Sequence, residues 1–102
     1  MPYRARIDTT CAPRNSGADY ECEEISMFVD LPFIPQAGTY LKVTPEGEFM
    51  TVQSVMVDIT ANGSPIIISM DEPDEITQLR PWKEMIAQGW KPTTIDLIDE
   101  SA

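Results

Sequence analysis

The stretch that decides the fold is FMTVQSVMVDIT, residues 49–60, which is rich in β-branched side chains and contains neither proline nor glycine. Its apolar residues alternate with a period of two, but Met50 and Val52 lie on one parity and Val55 and Val57 on the other. Because successive side chains of a strand point to opposite faces, a strand with one buried face has to slip by one residue near Gln53. The stretch therefore predicts a β-bulge or sharp bend at that point, with all four of these apolar side chains mostly buried.

Turn and strand signals continue on the C-terminal side of this stretch. Asn62-Gly63 is the preferred pair for a type I′ hairpin, so the chain is expected to turn back there. The run Ile66-Ile67-Ile68 then predicts a return strand that is buried, or nearly so, on both faces. A bent strand followed by a tight hairpin is how small β-barrels turn their corners.

The N-terminal side also predicts β-structure. Alternation of apolar and charged residues predicts strands over residues 3–8 and 24–31. The segment between them, residues 9–19, is small, polar and punctuated by Pro and Gly, which predicts a loop. Residues 40–43 predict a short strand, and Pro45-Glu46-Gly47-Glu48 predicts the turn that leads into residues 49–60.

The C-terminal part predicts one short helix. Pro81 suits its first turn, where the missing N–H costs nothing. One helical face then carries three apolar side chains: Trp82, Met85 and Ile86. Gly89 is expected to have a positive φ and to close the helix as the residue after its C-cap, with Trp90 folding back onto Met85 in a Schellman arrangement. Residues 94–98 predict a final strand.

These elements predict a mainly β domain: a β-barrel, SH3-like, or a strongly bent antiparallel sheet of five or six strands, with one short C-terminal α-helix. A chain of 102 residues is expected to form a single domain over residues 1–102, with a barrel core at about 3–70 and the helix and tail at 71–102. The stretch Leu-Pro-Phe-Ile-Pro-Gln-Ala-Gly at residues 31–38 precedes the two hairpin strands. In this order, residues 25–70 resemble small uncharacterised SH3-like β-barrel proteins of bacteria, phages and mobile elements.

Composition excludes several function classes. The chain has 17 Asp and Glu against 7 Lys and Arg, a net charge of -10, and no histidine. This charge argues against direct nucleic-acid binding, which needs a basic surface. The missing histidine removes imidazole general bases, Ser-His and Cys-His pairs and most catalytic zinc sites. No apolar run approaches the roughly 20 residues of a membrane span, and the first six residues lack the apolar region of a secretory signal, so a cytoplasmic protein without membrane contact is expected.

Cys11 and Cys22 are the two cysteines of the chain. They either form a disulfide that staples an N-terminal loop or remain thiols in a reducing cytosol, and the missing secretion signal favours thiols. A nucleophilic Cys22 is not expected, because the neighbouring Glu21, Glu23 and Glu24 raise the pKa of a thiol.

Acidic residues concentrate in two clusters, residues 19–30 with a net charge of -5 and residues 71–79 with -4, whereas residues 1–18 and 80–91 each sum to +2. One interpretation is a solvated face that keeps a small domain soluble. The other is a binding face that meets a basic partner surface, made by eight residues: Asp19, Glu21, Glu23, Glu24, Asp71, Glu72, Asp74 and Glu75. One cluster carries a charge per ~8 Å of extended chain, against ~1.7 Å for duplex DNA. The nucleic-acid-mimic hypothesis therefore requires the two clusters to be neighbours in space.

The favoured function is non-enzymatic: an acidic face that binds a basic, nucleic-acid-binding protein. An inhibitor of a nucleic-acid-handling host protein, encoded by a phage or mobile element, fits this description, and the chain is similar to anti-CRISPR proteins in size and charge. The main alternative is a small structural or assembly module, such as a phage virion or tail component. The oligomeric state stays open.

Other chemistries have weaker support, so no catalytic residue, metal site or cofactor is predicted. A carboxylate-based small enzyme is the third hypothesis, but no spacing singles out a pair of carboxylates. Residues 71–75 offer oxygen ligands suited to Ca²⁺, yet an EF-hand loop that starts at Asp71 needs glycine at its sixth position, where Ile76 stands. Trp82 and Trp90 are interpreted as core residues that cover one open end of the barrel, or as an exposed aromatic anchor for a partner protein.

Overall fold

The computed structural model describes residues 3–15, 17, 22–60, 66–71 and 79–93. Within these residues the chain forms six strands and one helix: β1 (Tyr3–Cys11), β2 (Glu23–Leu31), β3 (Tyr40–Leu41), β4 (Met50–Val57), β5 (Ile66–Met70), α1 (Trp82–Ala87) and β6 (Lys91–Pro92). The strands form one curled, half-barrel sheet in the order β3-β4-β5-β1-β2-β6. The prediction of a mainly β fold with a strongly bent sheet and one short helix is confirmed. The sheet is mixed and not antiparallel throughout, because β1 and β5 pair in parallel.

The first strand of the chain lies in the middle of the sheet. β1 pairs antiparallel with β2, where Tyr3 is opposite Leu31, and parallel with β5, where Ala5 is opposite Ile66. β5 pairs antiparallel with β4, and β6 pairs antiparallel with β2. Since β1 and β5 run in the same direction and β2 runs against them, β1 and β5 end where β2 begins.

The concave side of the sheet and the helix enclose the core. Side chains of one parity in β1, β2, β4 and β5 share this side because the strand registers align them. The buried apolar side chains are Ala5, Ile7, Cys11, Ile25, Val52, Ile66, Ile68, Met70, Met85 and Trp90. Burial of this apolar surface supplies most of the stabilisation that the fold has available.

β1 is longer than the sequence pattern predicts. The expected loop at residues 9–19 begins only after Cys11, because Thr9 and Cys11 continue the alternation and both are buried on the core side. Thr9 pairs with Ile25, and Cys11 pairs with Glu23. The loop prediction for residues 9–11 is therefore wrong, since a small Cys and a β-branched Thr serve as core residues at the end of a central strand.

The bulge in β4 is present where the sequence places it. Val52 pairs with Met70 and Ser54 pairs with Ser69, so the register shifts between Val52 and Ser54. Val52 is buried, and Met50 and Val55 are half-buried. Val57, however, is 51 % exposed, so the prediction that all four apolar side chains are mostly buried is wrong at this position.

The helix closes as predicted, although it begins one residue later. Pro81 is the N-cap, with extended φ and ψ of -61° and 140°, and Trp82 is the first helical residue. Gly89 has a φ of +105°. The Gly89 N–H donates to the carbonyl of Ile86 at 3.1 Å, and the Trp90 N–H donates to that of Met85 at 3.2 Å, which are the two bonds of a Schellman motif.

The remaining elements differ from the predictions mainly in length. β3 has two residues where residues 40–43 were expected, and β4 ends at Val57 where the predicted strand continued to residue 60. Ile67 is half-buried on the convex side, so β5 is not fully buried on both faces. The predicted Asn62-Gly63 turn and the predicted strand at residues 94–98 lie outside the described residues. Trp90 is a core residue, and Trp82 packs against the core.

Candidate functional site

The sheet topology brings three of the eight proposed acidic residues, Glu23, Glu24 and Asp71, to the same end of the molecule. Glu24, at the start of β2, is opposite Thr10 of β1. On the other side of β1, Asp8 is opposite Ser69, and Asp71 follows β5 two residues later. Because strands are ~4.8 Å apart, the backbones of Glu24 and Asp71 lie about 10 Å apart, on either side of Thr10. We call this region, defined by Glu23, Glu24 and Asp71, the acidic end.

Three of the eight residues proposed from the sequence can be placed. Glu24 and Asp71 are exposed, and Glu23 is largely covered. The other five lie outside the described residues: Asp19, Glu21, Glu72, Asp74 and Glu75. Each of these five is within four residues of an acidic-end residue along the chain.

Glu23 has a structural partner of its own. The Arg14 Nε donates to both carboxylate oxygens of Glu23, at 2.8 and 3.1 Å, and the Glu23 side chain is only 11 % exposed. The Arg14 guanidinium also stacks on Trp82, 4.1 Å from the ring centroid. Arg14 thus ties the start of β2 to α1, and the exposed charge of this end comes from Glu24 and Asp71 among the residues described.

The positive charge of residues 80–91 is partly neutralised at the same end. The Arg80 guanidinium contacts Glu48 at 2.6 Å and Glu84 at 2.7 Å, and the Arg80 carbonyl accepts a hydrogen bond from the Ala12 N–H at 2.8 Å. Arg80 therefore joins the loop before β4, the helix and the end of β1. The other arginines are paired as well, Arg4 with Asp30 and Arg6 with Asp8.

A cleft of about 260 Å³ opens between the acidic end and the helix. Its walls include Thr10, Glu48, Asp71, Arg80 and Met85. The Thr10 Oγ1 is buried and has no hydrogen-bond partner among the residues described. Hydroxyl and carboxylate oxygens dominate the polar part of this cleft, so its chemistry suits N–H donors better than anions.

The Cys11 thiol is not an activated nucleophile. Cys11 and Cys22 are not joined by a disulfide. Burial, followed by the charges of Glu23 and Cys22, raises the pKa of the Cys11 thiol to about 11. Cys11 is therefore protonated at neutral pH and acts as a core residue.

A polar network that the sequence does not reveal lies on the convex side of the sheet. The Arg6 guanidinium donates to both oxygens of Asp8, at 2.8 and 2.9 Å, and the Ser26 hydroxyl donates to Asp8 Oδ1 at 2.7 Å. Ser26 also contacts the Thr93 hydroxyl, next to β6. Alternation marks Asp8 and Ser26 as outward-facing, and only the pairing of β1 with β2 shows that they meet.

The described part of the chain holds neither a metal-binding cluster nor a membrane-spanning helix. No group of three or more Cys, Asp or Glu side chains there is arranged to hold a metal ion. No helix there is long and apolar enough to cross a membrane. Comparisons of the whole chain with protein families, with curated proteins and with solved structures find no match.

Proposed function

We propose that this protein binds a basic surface of another protein through its acidic end and catalyses no reaction. The observation that carries the proposal is the position of β1 between β5 and β2, which sets Glu24 and Asp71 on either side of Thr10. Along the chain, residues 19–22 lead into this end of the sheet and residues 72–75 lead out of it. The arginines nearest to this end, Arg14 and Arg80, are held by carboxylates, so they do not oppose a basic partner.

The proposed partner is a nucleic-acid-handling protein of the host cell. If both clusters share one face of about 30 Å, that face carries roughly one charge per 3.3 Å, close to the spacing along a single nucleic-acid strand. Such a face suits a decoy that occupies a nucleic-acid-binding surface, as an inhibitor encoded by a phage or mobile element does. In this proposal the protein acts in the cytoplasm and needs no cofactor. It belongs to a family of SH3-like barrel proteins that phages and mobile elements encode.

The test compares two double charge reversals that change the net charge equally at opposite ends of the sheet. Glu24→Lys/Asp71→Lys alters the acidic end, and Asp30→Lys/Asp58→Lys alters exposed carboxylates at the other end. The probe is a fluorescent deca-arginine peptide, titrated at low and high NaCl. We expect the acidic-end variant to lose on the order of tenfold in affinity at low salt, and the control to lose far less.

Equal losses in the two variants would show that total charge alone attracts the peptide, which contradicts the proposal. Circular dichroism checks that both variants fold. A pull-down from bacterial lysate with the same two variants then identifies the partner, which is expected to be basic and salt-sensitive.

One observation favours the second candidate, a structural or assembly module. Several large apolar side chains are exposed, with Tyr40 at 70 %, Phe49 at 68 % and Ile59 at 90 %. Exposed apolar side chains of this size are typical of protein–protein contacts. An assembly module is expected to recover virion proteins or itself from lysate, and to do so equally with both charge variants.

A further inference from the structure

The outer edge of β4 is covered along only part of its length. At its start, β3 pairs with Met50 and Thr51. The Val52 N–H then donates to the Thr39 carbonyl, and the Val52 carbonyl accepts from the Gly38 N–H, both at 2.8 Å. Beyond Val52, β4 pairs with β5 alone among the described strands. We call residues 53–57 the free edge.

The free edge lacks the charges and the proline that normally prevent strands from pairing with other chains. Its sequence, QSVMV, contains no charge and no proline. Sheet edges are usually protected by lysine, by proline or by being very short. The opposite edge of this sheet has all three, because β6 consists only of Lys91 and Pro92. The two edges therefore differ, and of the two edges formed by the described strands the β4 edge is the better template for a further strand.

Apolar side chains that the fold leaves uncovered lie at the same place. Met56 is 55 % exposed and Val57 is 51 % exposed. Ile59, just after the strand, is 90 % exposed. The alternation of the sequence predicts that Val57 is buried, and the described part of one chain does not bury it. A strand added at the free edge would lie beside Met56 and Val57, which point to opposite faces of the sheet, and would cover part of each side chain.

We propose that a second copy of this chain pairs with the free edge, antiparallel and centred on Val55. Two antiparallel strands from identical chains can be related by a two-fold axis perpendicular to the sheet. This axis keeps the core side of both copies on the same face, so core-side residues of one copy pair with core-side residues of the other. The residue beside the axis then pairs with the same residue of the second copy. We place the axis at Val55 because it is the middle residue of the free edge. In this register, Ser54 is opposite Met56 of the second copy, and Gln53 is opposite its Val57.

The charge distribution favours a second copy in this orientation. β4 runs antiparallel to β5, so Val57, which is opposite Ile66, lies at the end of the sheet away from Asp71. An antiparallel pair about Val55 therefore directs the two acidic ends in opposite directions. The joined edges are uncharged, and the repulsion between two chains of net charge -10 is kept low by this separation.

Sedimentation equilibrium over a range of protein concentrations tests the proposal with two double variants that differ at one position. In Ser54→Lys/Met56→Lys, lysines oppose each other twice across the axis. In Ser54→Lys/Met56→Glu, each lysine opposes a glutamate of the second copy. We expect the wild type to approach twice its 11.4 kDa with rising concentration. We expect the Lys/Lys variant to dimerise at least about tenfold more weakly than the Lys/Glu variant.

The control is Phe33→Lys/Ile34→Lys, which places two lysines at exposed apolar positions outside residues 53–57 and is expected to dimerise like the wild type. A wild type that stays monomeric at all concentrations overturns the proposal. So does a Lys/Lys variant that dimerises normally, or a Lys/Glu variant that dissociates as far as Lys/Lys while circular dichroism shows both folded. The dimer is expected to strengthen with NaCl, whereas binding of a basic partner weakens, so the two proposals fail separately.

Discussion

At the scale of single residues, burial decides what an ion pair contributes. Arg4–Asp30 and Arg6–Asp8 both lie on the convex side of β1 and β2. The first is one contact of 3.2 Å to an Asp30 side chain that is 62 % exposed. The second is bidentate, and Asp8, at 23 % exposure, also accepts the hydroxyl of Ser26. The two pairs thus offer a comparison of the same chemistry in different surroundings.

We predict that Asp8→Asn lowers the free energy of unfolding by about 1–3 kcal/mol, because it leaves the half-buried Arg6 guanidinium without its carboxylate. The matched substitution Asp30→Asn is expected to change it by less than about 0.5 kcal/mol, since exposed pairs are screened by solvent. Urea unfolding of both variants measures this difference. Equal effects would mean that the network around Asp8 contributes no more than a surface pair.

The Cys11 thiol makes stability depend on pH in the alkaline range. Its pKa is 9.0 in an ordinary environment and about 11 in the fold, so the folded state keeps the proton longer than the unfolded state. The contribution of the protonated Cys11 thiol to the free energy of unfolding is fully present below pH 9 and is lost as the pH rises towards 11. We predict a steeper loss of unfolding free energy over this window for the wild type than for Cys11→Ala. Urea titrations at each pH give the unfolding free energy of both proteins, and an equal loss with pH in the two would contradict the prediction.

At the scale of elements, the six-residue helix α1 depends on its C-terminal closure. Its N-cap residue, Pro81, makes no side-chain hydrogen bond to the helix. The closure supplies two backbone hydrogen bonds and buries Trp90 beside Met85 in the core. A short helix is marginal without tertiary packing, so this end contributes more than its length suggests.

We predict that Gly89→Ala destabilises the protein by about 1 kcal/mol, because alanine is strained at the φ of +105° that the motif requires. A Cβ at this position would meet Met27 Cε at an ordinary 3.5 Å, so the cost comes from the backbone and not from a clash. Gly17→Ala is the control, since Gly17 has a normal φ and open space around its Cβ position. Thermal unfolding that gives the same Tm for both variants would contradict the capping argument.

The elements also show which features can be predicted from sequence. The bulge at Gln53 and the closure at Gly89 depend on neighbouring residues, so parity and capping rules predict both. The length of β1 was missed because Thr9 and Cys11 resemble loop residues until β2 and β5 flank them. The exposure of Val57 was missed because parity cannot tell an outer strand from a central one.

The candidate site is predictable only in part, because it depends on contacts between segments that are distant in the sequence. Charge counting selected Glu24 and Asp71 as members of acidic clusters. Their proximity depends on the parallel pairing of β1 with β5, which joins distant segments and has no local signal. The Arg14–Glu23 pair was missed because Arg14 lies in a stretch of Pro and Gly whose path the sequence does not fix.

At the scale of the whole molecule, the net charge of -10 opposes the compact state. We predict that added NaCl raises the Tm by a few degrees, because screening weakens the repulsion among carboxylates more than it weakens the arginine pairs. The comparison is Glu24→Gln/Asp71→Asn, which removes two charges from the acidic end and is expected to show a smaller rise. Scanning calorimetry at matched pH measures both, and a Tm that falls with salt would contradict the prediction.

The central position of β1 has a consequence for how the chain folds during its synthesis. β1 is made before the other described strands, yet one of its two neighbours in the sheet, β5, is made only after β2, β3 and β4. Until the ribosome has released β5, the emerging β1–β2 hairpin exposes the unpaired edge of β1. It also exposes apolar residues that the folded protein buries. Such non-local pairing slows folding and lengthens the time in which a nascent strand can pair wrongly. A protein built this way is expected to depend on chaperones during synthesis more than its 102 residues suggest.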